Sequence, residues 1–200
     1  VGIPPVVSAY TALAYRFAEH HGFEIPKNAH FWSIMGDSEF REGSLAECMP
    51  DVAERNLSNV TWIVDYNRQN LDGVRILNEE GIAGTDAHRI ERLAEANGWE
   101  VIQCRHGLKR LEIFKRPGGE QLQKALEVLS DFEFQALLVK RDGSIAKKRF
   151  LEMAPKLKLN DQEALDVLLD LGGHDFNILI DAYQKSRTSK RPTMIIAHTL

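Results

Sequence analysis

Cysteine is nearly missing: Cys48 and Cys104 are the only two in 200 residues, and they form no Cys-x-x-Cys pair. That scarcity excludes a disulfide framework or a zinc-binding knuckle as the organising device, and a reducing cytoplasm fits it. Long apolar runs are missing too. No segment approaches eighteen uninterrupted apolar residues, and no charged start leads into an apolar stretch and cleavage site, so membrane insertion and secretion are both disfavoured. Basic excess is lacking, since 25 Lys and Arg stand against 29 Asp and Glu for a net charge of −4. Bulk charge therefore gives no reason to expect nucleic acid as a partner. There is no internal repeat and no low-complexity segment. What remains, 44% hydrophobic and 27% charged residues, is the composition of a globular protein with a sizeable core. The chain starts at Val1 without Met and stops at Leu200 just after an apolar run, which reads as a piece cut from a longer protein.

The stretch from His30 to Gly73 organises the rest. Phe31, Trp32, Ile34 and Met35 form a short apolar run, and Val60 to Val64 forms another rich in β-branched and aromatic residues; both read as strands buried on two faces. Ser44 to Asn56 between them has helix-forming composition, although Pro50 inside it predicts a kink or break. A strand, helix, strand unit crosses over right-handed and makes its strands parallel. The runs end in Gly36-Asp37-Ser38-Glu39 and in Asn67-Arg68-Gln69, so Asp37 and Asn67 meet at one rim, where open α/β sheets bind ligands. A carboxylate, an amide oxygen and free main-chain carbonyls are hard donors that suit magnesium or calcium. A helix starting near Gly43-Ser44 adds unpaired amides and a positive dipole end that favour phosphate. The sharp reading is a metal-bridged diphosphate. The bland one makes Asp37 a cap and Asn67 a turn residue.

At the start of the chain, Pro4 and Pro5 open a helix in which Val6, Tyr10, Leu13, Ala14 and Phe17 recur at helical spacing. Thr85 caps a helix with Ala83, Ala87, Ile90 and Ala94 on one face. Trp99 to Cys104 reads as a third strand with Arg105-His106-Gly107 at its carboxyl end. There His106 is a tempting acid or base, against the plainer reading of a loop histidine. Leu122, Ala125, Leu126 and Leu129 make an amphipathic helix after Pro117-Gly118-Gly119. The basic run from Lys140 to Lys158 reads as a solvated face, with docking to an acidic partner as the minority reading. Asn160 and Glu163 form a capping pair for a helix carrying Leu165, Leu168 and Leu169. Gly172-Gly173-His174-Asp175 breaks the chain and caps a helix with Ile178, Leu179, Ala182 and Tyr183 inward, His174 being structural. Met194 to Ala197 is a fourth buried strand.

Gly36-Asp37-Ser38-Glu39, followed thirty residues after Asp37 by Asn67-Arg68-Gln69 and then Leu71-Asp72-Gly73, resembles the thiamine diphosphate motif of the transketolase-like superfamily. The variant is most similar to the diphosphate-binding domain of the homodimeric bacterial pyruvate dehydrogenase family. Val1-Gly2-Ile3-Pro4-Pro5, Asn97-Gly98-Trp99-Glu100-Val101-Ile102, Leu171-Gly172-Gly173-His174-Asp175 and Ala197-His198-Thr199-Leu200 support that choice in order along the chain.

The resemblance implies one domain over 1–200, an α/β, doubly wound and mainly parallel sheet with helices on both faces. It also implies that Asp37, the side-chain oxygen of Asn67 and the main-chain carbonyl of Gln69 bind Mg2+, that Ser38 and Glu39 line the diphosphate, and that Leu71 packs near the thiazolium ring. Ser38 replaces the family's third glycine, which predicts crowding or restricted dihedral angles there. The loop after Gly73 departs from the family's glycine-rich pattern. The implied activity is decarboxylation of a 2-oxo acid such as pyruvate, with acyl transfer to the lipoyl group of an acyltransferase partner. It belongs to a cytoplasmic homodimer whose activating glutamate lies in another domain, so no residue of this chain is assigned a catalytic role and the piece alone is expected to be inactive. A transketolase-like sugar transferase and a non-catalytic domain that kept the fold are the competing readings.

Overall fold

In a computed structural model, residues 2–69 and 85–200 are described. Among them four strands form one all-parallel sheet in the order β1-β2-β4-β3: β1 (Phe31–Gly36), β2 (Val60–Tyr66), β3 (Glu100–Cys104) and β4 (Thr193–His198). Side chains alternate across the sheet. Val60, Trp62, Val64, Tyr66, Met194 and Ile196 face the helices α1 (Ile3–His20), α2 (Gly43–Glu54) and α3 (Asp86–Ala96), where the largest apolar cluster lies. Ile63, Ile195, Ala197 and Cys104 face α9 (Phe176–Thr188) on the other side. The expected α/β, doubly wound parallel sheet with helices on both faces is the fold observed.

β2 is buried on both faces as its composition predicts, but β1 is one-sided. Ser33 and Met35 are buried whereas Trp32 and Ile34 are exposed, Ile34 at 66%. α1 also differs from its predicted face. Small residues, Pro5, Ala9 and Ala12, are the buried ones, and Tyr10 and Phe17 point outward. Small side chains let the helix lie close over β1, where Tyr15 meets Phe31 edge-on at 5.3 Å between ring centres. α2 runs unbroken through Pro50. Burial of Leu45, Cys48, Met49 and Val52 on its inner face outweighs the one backbone bond that proline removes.

Between β3 and β4 the chain builds a helical insertion with its own core: α4 (Leu108–Phe114), α5 (Gly119–Val128), α6 (Asp131–Lys140), α7 (Gly143–Met153) and α8 (Asp161–Leu169). Phe114, Leu122, Phe134, Phe150 and Leu168 meet there. The middle of the basic run lies on α7, where Lys147 pairs with Asp161 at 3.0 Å and Arg149 with Glu152 at 3.2 Å and with Glu133. The predicted capping pair is present, with Glu163 N–H donating to Asn160 Oδ1 at 2.8 Å and Asn160 N–H to Glu163 Oε2 at 2.9 Å. A 3-10 turn at Gly172–His174 then returns to the sheet so closely that a Cβ on Gly172 would lie 2.6 Å from the carbonyl oxygen of Cys104. Asp175 caps α9 as expected. No helix among the described residues is long and apolar enough to cross a membrane. Cys48 and Cys104 are free, and burial pushes both thiols up to about 11.

Candidate functional site

β1 and β2 run in parallel register with Gly36 beside Asp65, so both chain exits fall on one rim. The two predicted loops are bonded to each other. Asp37 N–H donates to the carbonyl of Asp65 at 3.2 Å, and Arg68 N–H donates to Asp37 Oδ2 at 2.9 Å. Asp37 is buried at 4% exposure. Burial raises its carboxyl above the ordinary range, the N–H groups of Arg68 and Ser38 pull it back, and Asp86 and Asp65 push it up again. A carboxylate so placed gains from a cation.

Asn67 follows β2 directly. Its Oδ1 accepts from Gln69 N–H at 2.8 Å, closing a tight side-chain turn that leaves a second lone pair, and its Nδ2 lies 3.5 Å from Asp65 Oδ2. Gln69 is exposed. Ser38 and Glu39 lead into a 3-10 turn, Glu39–Arg41, that precedes α2. Ser38 has φ −66° and ψ −37°, so its side chain imposes none of the dihedral restriction expected where the family has glycine. α2 starts at Gly43 with no side-chain cap. Gly2 packs against that start, where an added Cβ would lie 2.6 Å from Leu45 Cδ1. Leu71 and the loop after Gly73 as far as Gly84 lie outside the described residues, as does Val1.

Among the described residues no group of three or more His, Cys, Asp or Glu side chains is arranged to hold a metal. The candidate ligands are of another kind: one carboxylate, one amide oxygen and a main-chain carbonyl. That set matches the few protein contacts magnesium takes when phosphate and water supply the remainder.

Compared with known proteins, the chain is 28% identical over its full length to the pyruvate dehydrogenase E1 component of Corynebacterium glutamicum, 24% to that of Escherichia coli K12 and 27% to that of Buchnera aphidicola from Baizongia pistaciae. The chain is thus similar along its whole length to proteins named pyruvate dehydrogenase E1 component. It spans about a fifth of these relatives, 22% in each case. No protein-family model matches it.

His106, the tempting acid or base, is half-buried, with its Nε2 3.6 Å from Glu127 Oε1. Its Nδ1 lies 3.3 Å from Arg110 Nη1, and burial, with Arg110 and Arg105, lowers its pKa to about 3. It is neutral where acid–base chemistry at neutral pH needs a poised group. His174 is exposed, and its Nε2 accepts from Leu200 N–H at 2.9 Å.

Sequence reasoning missed a second ring of residues around the loops. Thr199 N–H donates to the carbonyl of Tyr66 at 3.1 Å, and the Thr199 hydroxyl bonds Asp65. Tyr66 bonds Asp131 through its hydroxyl, and Gln135 of α6 donates to the carbonyl of Asn67 at 2.9 Å. No spacing rule joins residues 68 apart in the chain. The signal available was an arginine between two candidate ligands.

Proposed function

We propose that this chain is the magnesium- and thiamine diphosphate-binding part of a pyruvate dehydrogenase-like protein that decarboxylates a 2-oxo acid oxidatively. The observation that carries the reading is the Arg68 N–H bond to buried Asp37, which ties the two motif loops together at the carboxyl rim of the sheet. Full-length homology to proteins named pyruvate dehydrogenase E1 component supports it.

In this reading Asp37, the Asn67 side-chain oxygen and the Gln69 carbonyl hold magnesium. Ser38 and Glu39 would line the diphosphate. When bound, thiamine diphosphate supplies an electron sink for the carbon–carbon bond cleavage. The chain's own residues bind and orient. Burial raises the Asp37 carboxyl, a neighbouring cation would favour its ionised form, and the uncapped amides at the start of α2 favour an anion nearby. The complete protein would work in the cytoplasm as a homodimer, passing its acyl group to the lipoyl group of an acyltransferase partner. The part described here would be inactive alone.

Calorimetric titration with thiamine diphosphate, with magnesium and then with chelator, tests this on the chain and on Asp37→Ala. Magnesium-dependent binding that disappears in the variant is expected. Binding indifferent to chelator and to the substitution would sink the assignment, as would no binding to the complete protein.

A further inference from the structure

Arg68 holds a backbone conformation that a side chain adopts at a cost, φ +63°. Asn28, Asn56 and Arg141 also have positive φ, but asparagine tolerates that region and Arg141 ends α6. Arg68 instead stands between the two candidate ligands Asn67 and Gln69. Residues in such conformations persist where their surroundings over-determine them.

The surroundings here come from three directions. On the β1 side, Arg68 N–H is bonded to Asp37. On the β4 side, Nη1 donates to the carbonyl of Thr199 at 2.8 Å and Nη2 lies 3.3 Å from His198 Nδ1. On the insertion side, Nε lies 3.4 Å from Asp131 Oδ1, and the guanidinium carbon sits 4.5 Å from the centre of the Phe134 ring. Asp131 is held in turn by the Tyr66 hydroxyl. One helical turn on, Gln135 Nε2 grips the carbonyl of Asn67 itself at 2.9 Å.

A buried guanidinium is a poor way to add stability, because apolar replacements of similar volume often serve as well or better. A planar fork with several fixed partners is well suited to holding a main chain in one orientation. We propose that Arg68, together with Asp131, Phe134 and Gln135 of α6, positions the Asn67–Gln69 loop before any metal arrives, so that the helical insertion serves as the brace of the metal site. This inference rests on the reading given under Proposed function.

Two variants test it. Gln135→Met keeps length and removes the donor; Arg68→Gly keeps the left-handed backbone free of strain and removes the anchor. Hydrogen exchange of the metal-free chain reads the loop directly at the Arg68 and Gln69 amides. Uptake of Mn2+ in the presence of thiamine diphosphate, followed by electron paramagnetic resonance, reads the site. Faster exchange at both amides and about tenfold weaker Mn2+ uptake are expected in each variant, with the urea midpoint of Gln135→Met close to that of the parent. Unchanged exchange in both variants overturns the inference. So does faster exchange with unaltered Mn2+ affinity, since the loop would then be braced without being positioned for metal. A parent chain that takes up neither metal nor cofactor overturns the functional reading and this inference with it, whereas normal uptake by parent and variants alike overturns this inference alone.

Discussion

His106 shows how one half-buried residue sets a response to acid. Its pKa is lowered to about 3, and burial lowers His30 and His88 to about 4, while the unfolded chain titrates them near ~6.5. Between those values the unfolded state binds more protons than the folded one. The stabilisation from keeping these rings neutral is therefore complete above about pH 6.5 and is lost as pH falls toward 4 and then 3. His106→Asn, whose amide oxygen can take over as acceptor for Arg110, should lose less stability than the parent between pH 7.5 and pH 5, read as the change in urea midpoint. An equal loss in both proteins would place the acid sensitivity elsewhere.

At the scale of elements, the capping box of α8 is a local device with a local cost. Asn160→Ala should destabilise the chain by about 1 kcal/mol, measured by urea unfolding, and leave the exposed ion pairs of α7 in place. Here the sequence was informative because the signal is local: Asn160 and Glu163 are three residues apart, and β2 and β4 are short apolar runs rich in β-branched residues. The helices α4, α6 and α7 went unread. They are 7, 10 and 11 residues long, and the charges from Lys140 to Lys158 blur the apolar stripe of α7. The Asp37–Arg68 bond was legible as two loops sharing a rim, since parallel strands force that outcome. The brace was not, because Arg68 and α6 meet only through tertiary packing. Neither was the outward face of α1, where small residues took the core positions and larger apolar ones were left outside.

For the whole molecule, the sheet order predicts a gradient of opening. β2 and β4 are paired on both sides and covered on both faces, whereas β1 and β3 are paired on one side among the described residues. Amides of Thr61–Val64 and Met194–Ala197 should exchange slowest, near the rate set by global unfolding, with those of β1 and β3 exchanging faster. Hydrogen exchange monitored by mass spectrometry checks the order; equal protection across all four strands would contradict it.

The three tryptophans divide the sheet optically. Trp62 and Trp99 are fully buried on the side of α1, α2 and α3 with ring centres 4.5 Å apart, close enough for their transitions to couple, while Trp32 is 38% exposed on the α9 side, edge-on to Tyr183. Trp62 Nε1–H also reaches Ser8 Oγ of α1 at 3.2 Å, and Trp99 Nε1–H reaches the carbonyl of Met49 in α2 at 2.9 Å. The near-ultraviolet dichroism of the chain should therefore be dominated by the pair and report the docking of α1 and α2, whereas an aqueous quencher should extinguish the emission of Trp32 first. The molecule carries separate built-in lamps for the two sides of one sheet.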